Sequence, residues 1–203
     1  SLVNHLHSTA GFAEVLRDHK VQIMRYFIWL TALALMVPSS AATAQDWEVG
    51  LEAYHAGNFE AALSEWLPLA EQGNEDAQHG IGYMYESGQA IPEDHSAAVS
   101  WYTRAAKQGH ARGQAALASM YQRGNGVVRD YAQAVKWITL SAEQSYAPAQ
   151  NNLGFMYDKG QGVLQDFVEA GKWYTLAAKQ GHVHAQLRLA TIYIAGFGGL
   201  KDN

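Results

Sequence analysis

The sequence predicts an all-α fold, a right-handed α-solenoid of helix-turn-helix repeats, and three observations carry that prediction. Glycine and aspartate recur with a period of 36 residues, Gly88, Gly124, Gly160 and Gly196 in one column and Asp94, Asp130, Asp166 and Asp202 in another. Each period holds two stretches whose apolar residues fall at the i, i+3, i+4 spacing of one helix face. Capping and turn residues stand where such helices have to start and stop. A unit of this size cannot bury its apolar face alone and must stack on its neighbours.

The second helix of each unit is marked by coincident columns: Gln78, Gln114, Gln150 and Gln186; Ile81, Leu117, Leu153 and Leu189; Met84, Met120, Met156 and Ile192; Tyr85, Tyr121, Tyr157 and Tyr193. Among them runs a column of small residues, Gly82, Ala118, Gly154 and Ala190, which lets a neighbouring helix approach closely. The first helix of each unit carries Ala98, Trp101, Tyr102, Ala105 and Ala106, then Ala134, Trp137, Ile138 and Ala142, then Ala170, Trp173, Tyr174, Ala177 and Ala178. Between the two lies the turn KQGH, whose Gly109 and Gly181 suit the left-handed position that ends a helix. Ser145 replaces that glycine in the third copy, and Pro148 suits the first turn of the next helix.

Each aspartate of the column precedes a first helix by one residue, the N-cap position. Gln133 and Glu169 stand three residues further on, as in a capping box. The repeats therefore run at about 58–94, 95–130, 131–166 and 167–202, and residues 46–56 form one more helix that covers the open face of the first. Gly113 and Gly171 fall inside helices, each at a cost of ~1 kcal/mol relative to alanine, so those two units are expected to be softer. Asp202 is set to cap a further helix, from which a chain continuing past Asn203 is expected, or a second molecule covering the last helix.

Upstream of the repeats, the stretch from Met24 to Ala44 has Arg25, an apolar run from Tyr26 to Val37, a Pro-Ser-Ser break and Ala42-Thr43-Ala44. That is the pattern of a secretory signal peptide cleaved after Ala44. The apolar run is too short to cross ~30 Å of hydrocarbon as a helix. Residues 1–23 are then an upstream extension outside the mature protein, and 45–203 is the mature solenoid, periplasmic or secreted, with 11 basic and 17 acidic side chains and a formal charge of −6. Without clustered basic residues it is not expected to bind nucleic acid. Without cysteine it has no disulfide, thiolate or cysteine metal site.

Chemistry is sparse. The loops GNGVVRD and GQGVLQD lack the third glycine of a dinucleotide fingerprint and the lysine of a P-loop, and their own aspartates occupy the helix start that a phosphate would need. No G-x-S-x-G, H-E-x-x-H or S-x-x-K is present. His182 and His184 sit roughly 200° apart on a helix and do not converge on one metal, while His110 shares the repeat position of His182. His55, His79 and His95 have no ligand partner at a defensible spacing. The tryptophan column of Trp101, Trp137 and Trp173 reads as packing between units rather than as a stacking ladder for sugars or bases.

These motifs together resemble the Sel-one-like repeat (SLR) family, a relative of the tetratricopeptide repeat. Ala-x-x-Trp-Tyr-x-x-Ala-Ala-x-x-Gly is followed by Ala-x-x-x-Leu-Gly-x-Met-Tyr and then by Gly-x-Gly-Val-x-x-Asp, and the likeness covers residues 58–202. The first copy departs from it, with Glu65 in the tryptophan column, Trp66 in the tyrosine column and Ala90 for the second loop glycine, as an end repeat does. The resemblance implies a bacterial, exported, non-enzymatic adaptor that binds a protein or peptide, with no cofactor or metal. Contacts are expected at variable first-helix positions: Thr103, Arg104 and Lys107; Lys136, Thr139 and Glu143; Lys172, Thr175 and Lys179. Two alternatives stand beside it. One is a cell-wall hydrolase or β-lactam-binding protein, as some cysteine-rich relatives have been described. The other is a self-assembling repeat protein that associates through its C-terminal end.

Overall fold

The structure, a computed structural model, describes residues 40–196. By its contacts the chain from Thr43 onward forms a unit of its own. Residues 1–23, most of the expected signal segment and Asp202 lie outside the described residues. Nine helices succeed one another among the described residues, with no strand: α1 (Ser40–His55), α2 (Phe59–Glu71), α3 (Glu75–Ser87), α4 (His95–Lys107), α5 (Ala111–Arg123), α6 (Tyr131–Glu143), α7 (Ala147–Lys159), α8 (Phe167–Lys179) and α9 (Val183–Ala195). From α2 to α9, consecutive helices pack on one another. This unit is thus an α-solenoid whose layers are helix pairs.

The punctuation follows from hydrogen-bond supply. The carboxylates of Asp94, Asp130 and Asp166 each accept from the backbone N–H groups two and three residues on, capping α4, α6 and α8. The expected reciprocal half of the capping box does not form. The N–H groups of Asp130 and Asp166 already donate to the carbonyls of Tyr121 and Tyr157 in the helix before, and Glu169 pairs instead with Lys172. Gly109 and Gly181 do take positive φ after α4 and α8, and Ser145 takes the same conformation (φ 64°) after α6 without being glycine.

The two loop glycines serve different needs. Gly124 and Gly160 are left-handed C-caps. Gly126 and Gly162 lie so close to the start of the first helix of their own unit that a Cβ would stand 2.2 Å from the His95 carbonyl oxygen and 2.4 Å from that of Tyr131. The glycine loop therefore closes back on the first helix of its own unit.

Burial is distributed over four clusters rather than one centre, with Trp101 and Trp173 each packed on the cluster of an earlier layer and Trp137 set between two. In the small column, a Cβ on Gly82 would meet the Tyr102 ring at 2.7 Å and one on Gly154 the Tyr174 ring at 2.9 Å. Where the ring is replaced by Ile138, the small residue is Ala118, in the same cluster. Volume is conserved across the pair, as close packing requires. Gly113 is likewise used: a Cβ there would stand 2.8 Å from that of Ala105, so it is a close approach rather than simply a weak point. At Gly171 nothing lies within 4 Å and the expected helix cost stands uncompensated.

A glutamine ladder ties the layers. Gln78, Gln114 and Gln150 are buried, and the side-chain amide of each donates to a carbonyl of the first helix in its own unit, Ala70, Ala106 and Ala142. Their side-chain oxygens accept from Gln108, Gln144 and Gln180 of the following unit, each at 2.8 Å. At the head of the array, α1 stands in for a second helix of a preceding unit. Its Gly50 is placed under Trp66 as Gly82 is under Tyr102, and Trp47 stacks on the Trp66 ring at 4.6 Å. The connecting loop is shortened from the seven residues between α3 and α4 to the three residues Ala56–Asn58.

Candidate functional site

The N-terminal ends of α3, α5 and α7 lie along one edge of the solenoid, because each follows a tight turn from its first helix. Asp76, His110, Arg112, Gln144, Ser145 and Tyr146 from these ends, with Trp47 and Leu51 of α1, line a cleft of about 540 Å³. A smaller hollow of about 140 Å³ shares Trp47, Leu51 and Arg112 and continues past His79, Gly80 and Tyr83. Trp47 and Tyr146 belong to layers three apart, so this side of the stack is its inner curve.

His110 organises the edge. As N-cap of α5, its Nδ1 accepts the N–H of Gly113, which leaves the proton on Nε2, 3.1 Å from the Asp76 carboxylate. Donation from His110 holds the Asp76 carboxyl below its usual range against the opposing effect of burial. The His79 ring lies 5.3 Å from that of His110 and 5.7 Å from Tyr102. Burial above all, then the neighbouring His110 and Arg112, pushes its imidazole down to about 4, so it is neutral at physiological pH. α7 differs from its counterparts in that its N-cap Tyr146 supplies no side-chain cap.

This geometry does not assemble a nucleophile. Ser145 shares the cleft with His110 and Asp76, a serine-histidine-aspartate set by composition. Both nitrogens of His110 are engaged, one by a backbone N–H and one by the carboxylate, and neither is left to accept a serine proton. No group of three metal-binding side chains occurs among the described residues. His182 repeats the N-cap role of His110 on α9, with its ring 6.0 Å from His184.

The nine residues singled out from the sequence lie on α4, α6 and α8, the other helix layer, and none lines these hollows. Arg104, Lys107, Lys136, Glu143, Lys172 and Lys179 are exposed. Thr103, Thr139 and Thr175 are half-buried, and the hydroxyls of Thr103 and Thr175 donate to carbonyls of their own helices. Arg104 and Lys136 stack over Trp101 and Trp137. Sequence spacing missed the Asp76–His110–His79 group because His110 lies 34 and 31 residues from the other two, inside a single period. The signal was present in the period itself, since residues about 30 apart meet across layers throughout the ladder.

Comparison with known proteins agrees with this architecture. The Sel1 repeat model matches residues 75–110, 111–146, 147–182 and 183–203, units that begin at the second helix. The crystal structure of a protective antigen present in uropathogenic Escherichia coli strains, displaying an SLR fold, is similar at a TM-score of 0.72 with 37% identity, over 77% of this chain and 34% of that one. A Sel1 repeat protein from Oxalobacter formigenes is similar at a TM-score of 0.71 with 35% identity, over 76% of this chain and 63% of that one. The chain thus spans about a third of the first and under two thirds of the second. No curated protein matches it.

Proposed function

Because this chain belongs to the Sel1 repeat family, we propose that it is an exported, non-enzymatic scaffold that presents its repeat surface to a protein or peptide partner. The observation that carries this reading is the cleft along the second helices, which gathers side chains from α1 and three successive layers. Gln144 recurs as Gln72, Gln108 and Gln180, but three other members differ from their counterparts one period away. Arg112 stands where the other units have Asp76, Pro148 and His184, Ser145 where they have glycine, and Tyr146 where they have Asn74, His110 and His182. Columns that recur maintain stacking, and columns that vary are free to select a partner. Mixed apolar and polar walls over a curved edge suit an extended segment or another protein's face. The engaged state of His110 supports the absence of catalysis.

Export rests on the segment from Met24 to Ala44, and the expected site of action is the periplasm or beyond. Immobilised protein incubated with envelope extract, cross-linked and read by mass spectrometry should retain a defined protein. Arg112→Glu should weaken that retention tenfold or more, and Lys107→Glu on the opposite layer should change it little. Retention lost only with Lys107→Glu moves the site to the first helices, and no retained protein at all refutes the scaffold. Stoichiometric labelling of one residue by a serine-reactive probe or a labelled β-lactam refutes the non-enzymatic part. A mature N-terminus other than one near Gln45 in the envelope fraction refutes the export route.

A further inference from the structure

One turn on the inner edge breaks two rules that its counterparts keep. After α2, α4 and α8 the residue of positive φ is Gly73, Gly109 or Gly181, but after α6 it is Ser145, held at φ 64° against the preference of a residue with a Cβ. The next position caps the following helix through the side chain of Asn74, His110 or His182, whereas Tyr146 gives α7 no side-chain cap. Both departures oppose stability, and they stand side by side. Packing uses the Tyr146 ring, which lies against the cluster between α6 and α7, but requires neither hydroxyl. Among the described residues, neither the Ser145 nor the Tyr146 hydroxyl has a hydrogen-bond partner. Both residues line the cleft, as does Arg112.

We infer that Ser145 and Tyr146, with Arg112, are the specificity-determining residues of the cleft and that they read a carboxylate on an extended peptide; the inference rests on the scaffold reading above. The altered turn sits against the start of α5. Gln144 donates to the Gly109 carbonyl at 2.9 Å and Ser141 to that of Ala111 at 2.7 Å, and Arg112 is the next residue. Donors outnumber free acceptors at this corner. The Asp76 carboxylate is engaged by His110 at 3.1 Å, while Arg112 is exposed and has no carboxylate within ion-pair distance among the described residues. A guanidinium and two hydroxyls without protein partners match a group that only accepts, and a guanidinium holds a carboxylate through two parallel hydrogen bonds. Trp47 and Leu51 give the same cleft apolar area for a neighbouring side chain of the peptide. One turn of the array thus gives up a glycine and a cap and gains two hydroxyls in the cleft, an exchange of stability for recognition.

The probe is a displayed library of random peptides of about eight residues, long enough when extended to run past three layers, selected on the immobilised chain. Enriched sequences should share an aspartate or glutamate beside an apolar residue. A synthetic peptide of that sequence should lose about tenfold in affinity when its carboxylate is replaced by the amide. Ser145→Gly should weaken binding of the same peptide about fivefold while raising Tm by about 2–4 °C, a gain in stability with a loss of binding that a purely structural serine does not give. Tyr146→Phe keeps the ring and should weaken binding about threefold at unchanged Tm. Enriched peptides without a carboxylate, a Ser145→Gly chain that binds as well as the original, or no enriched peptide at all overturns the inference. A partner still retained from envelope extract in any of those cases leaves the scaffold reading standing, so the two fail separately.

Discussion

The seam between α3 and α4 and the seam between α7 and α8 are built from the same pair, a glycine under a tyrosine ring, and they end differently. Tyr102 donates its hydroxyl to Glu86 at 2.7 Å. Tyr174, equally buried, has a hydroxyl without a partner, and the residue in the Glu86 position is Asp158, one methylene shorter and bound to Lys159. A repeat column therefore specifies volume, while the fate of a polar atom within it is decided by a neighbour outside the column. Burial raises both phenols well above their ordinary pKa, with Glu86 adding to the effect at Tyr102 and Asp158 at Tyr174.

The widest test of this comparison deletes the rings. Tyr102→Ala and Tyr174→Ala should each cost about 3–5 kcal/mol in urea denaturation, since both leave a cavity in a closed cluster. A large inequality between them would break the claim that the seams are equivalent in volume. Acid should separate the two seams next. His79 touches Tyr102, while the counterpart at the other seam is Asn151, which does not titrate. The folded pKa of His79 lies below that of a free imidazole, so the unfolded chain binds more protons and stability falls as pH drops from about 6.5 toward 4. Hydrogen exchange should show α3 and α4 loosening over that window, by on the order of 2 kcal/mol, before α7 and α8 do. His79→Ala should abolish the difference, and equal loosening at both seams would refute the assignment.

Removing only the hydroxyls gives the sharper contrast. Tyr102→Phe should cost about 1–2 kcal/mol, the worth of a hydrogen bond to a charged acceptor, whereas Tyr174→Phe should be neutral or slightly stabilising. Equal costs would mean that the Tyr174 hydroxyl is satisfied after all. The smallest effect is expected of Asp158→Glu, which brings a carboxylate within reach of Tyr174 and should stabilise by about 1 kcal/mol or less, with Tyr174→Phe then becoming costly.

Much of this was legible in the sequence. The period, the two helices per unit, the aspartate caps and the small column that admits a neighbouring helix all follow from local chemistry repeated at fixed spacing; the ring that fills that column does not. The second half of the capping box was not, because the competing acceptor for the Asp130 and Asp166 N–H groups is a carbonyl whose position depends on the path of the loop. Nor was the role of the glutamine column, visible as a recurrence but intelligible only from the reach of Gln108 to Gln78 across the layers. The cleft escaped for a related reason. Single-helix spacing points to exposed positions on the first helices, whereas curvature, a property of the stack, selects the ends of the second helices as the inner edge.

The glutamine ladder carries a consequence for how such a chain can lengthen. The acceptor and the donor of each latch are 30 residues apart, less than the 36-residue period. A tandem duplication of any single unit therefore arrives with both halves already matched, to the copy before and to the copy after. Growth by copying needs no compensating change at the joint, and the direction of the amides fixes the order in which copies can be read. What varies afterward is the edge, where a duplicate is free to drift.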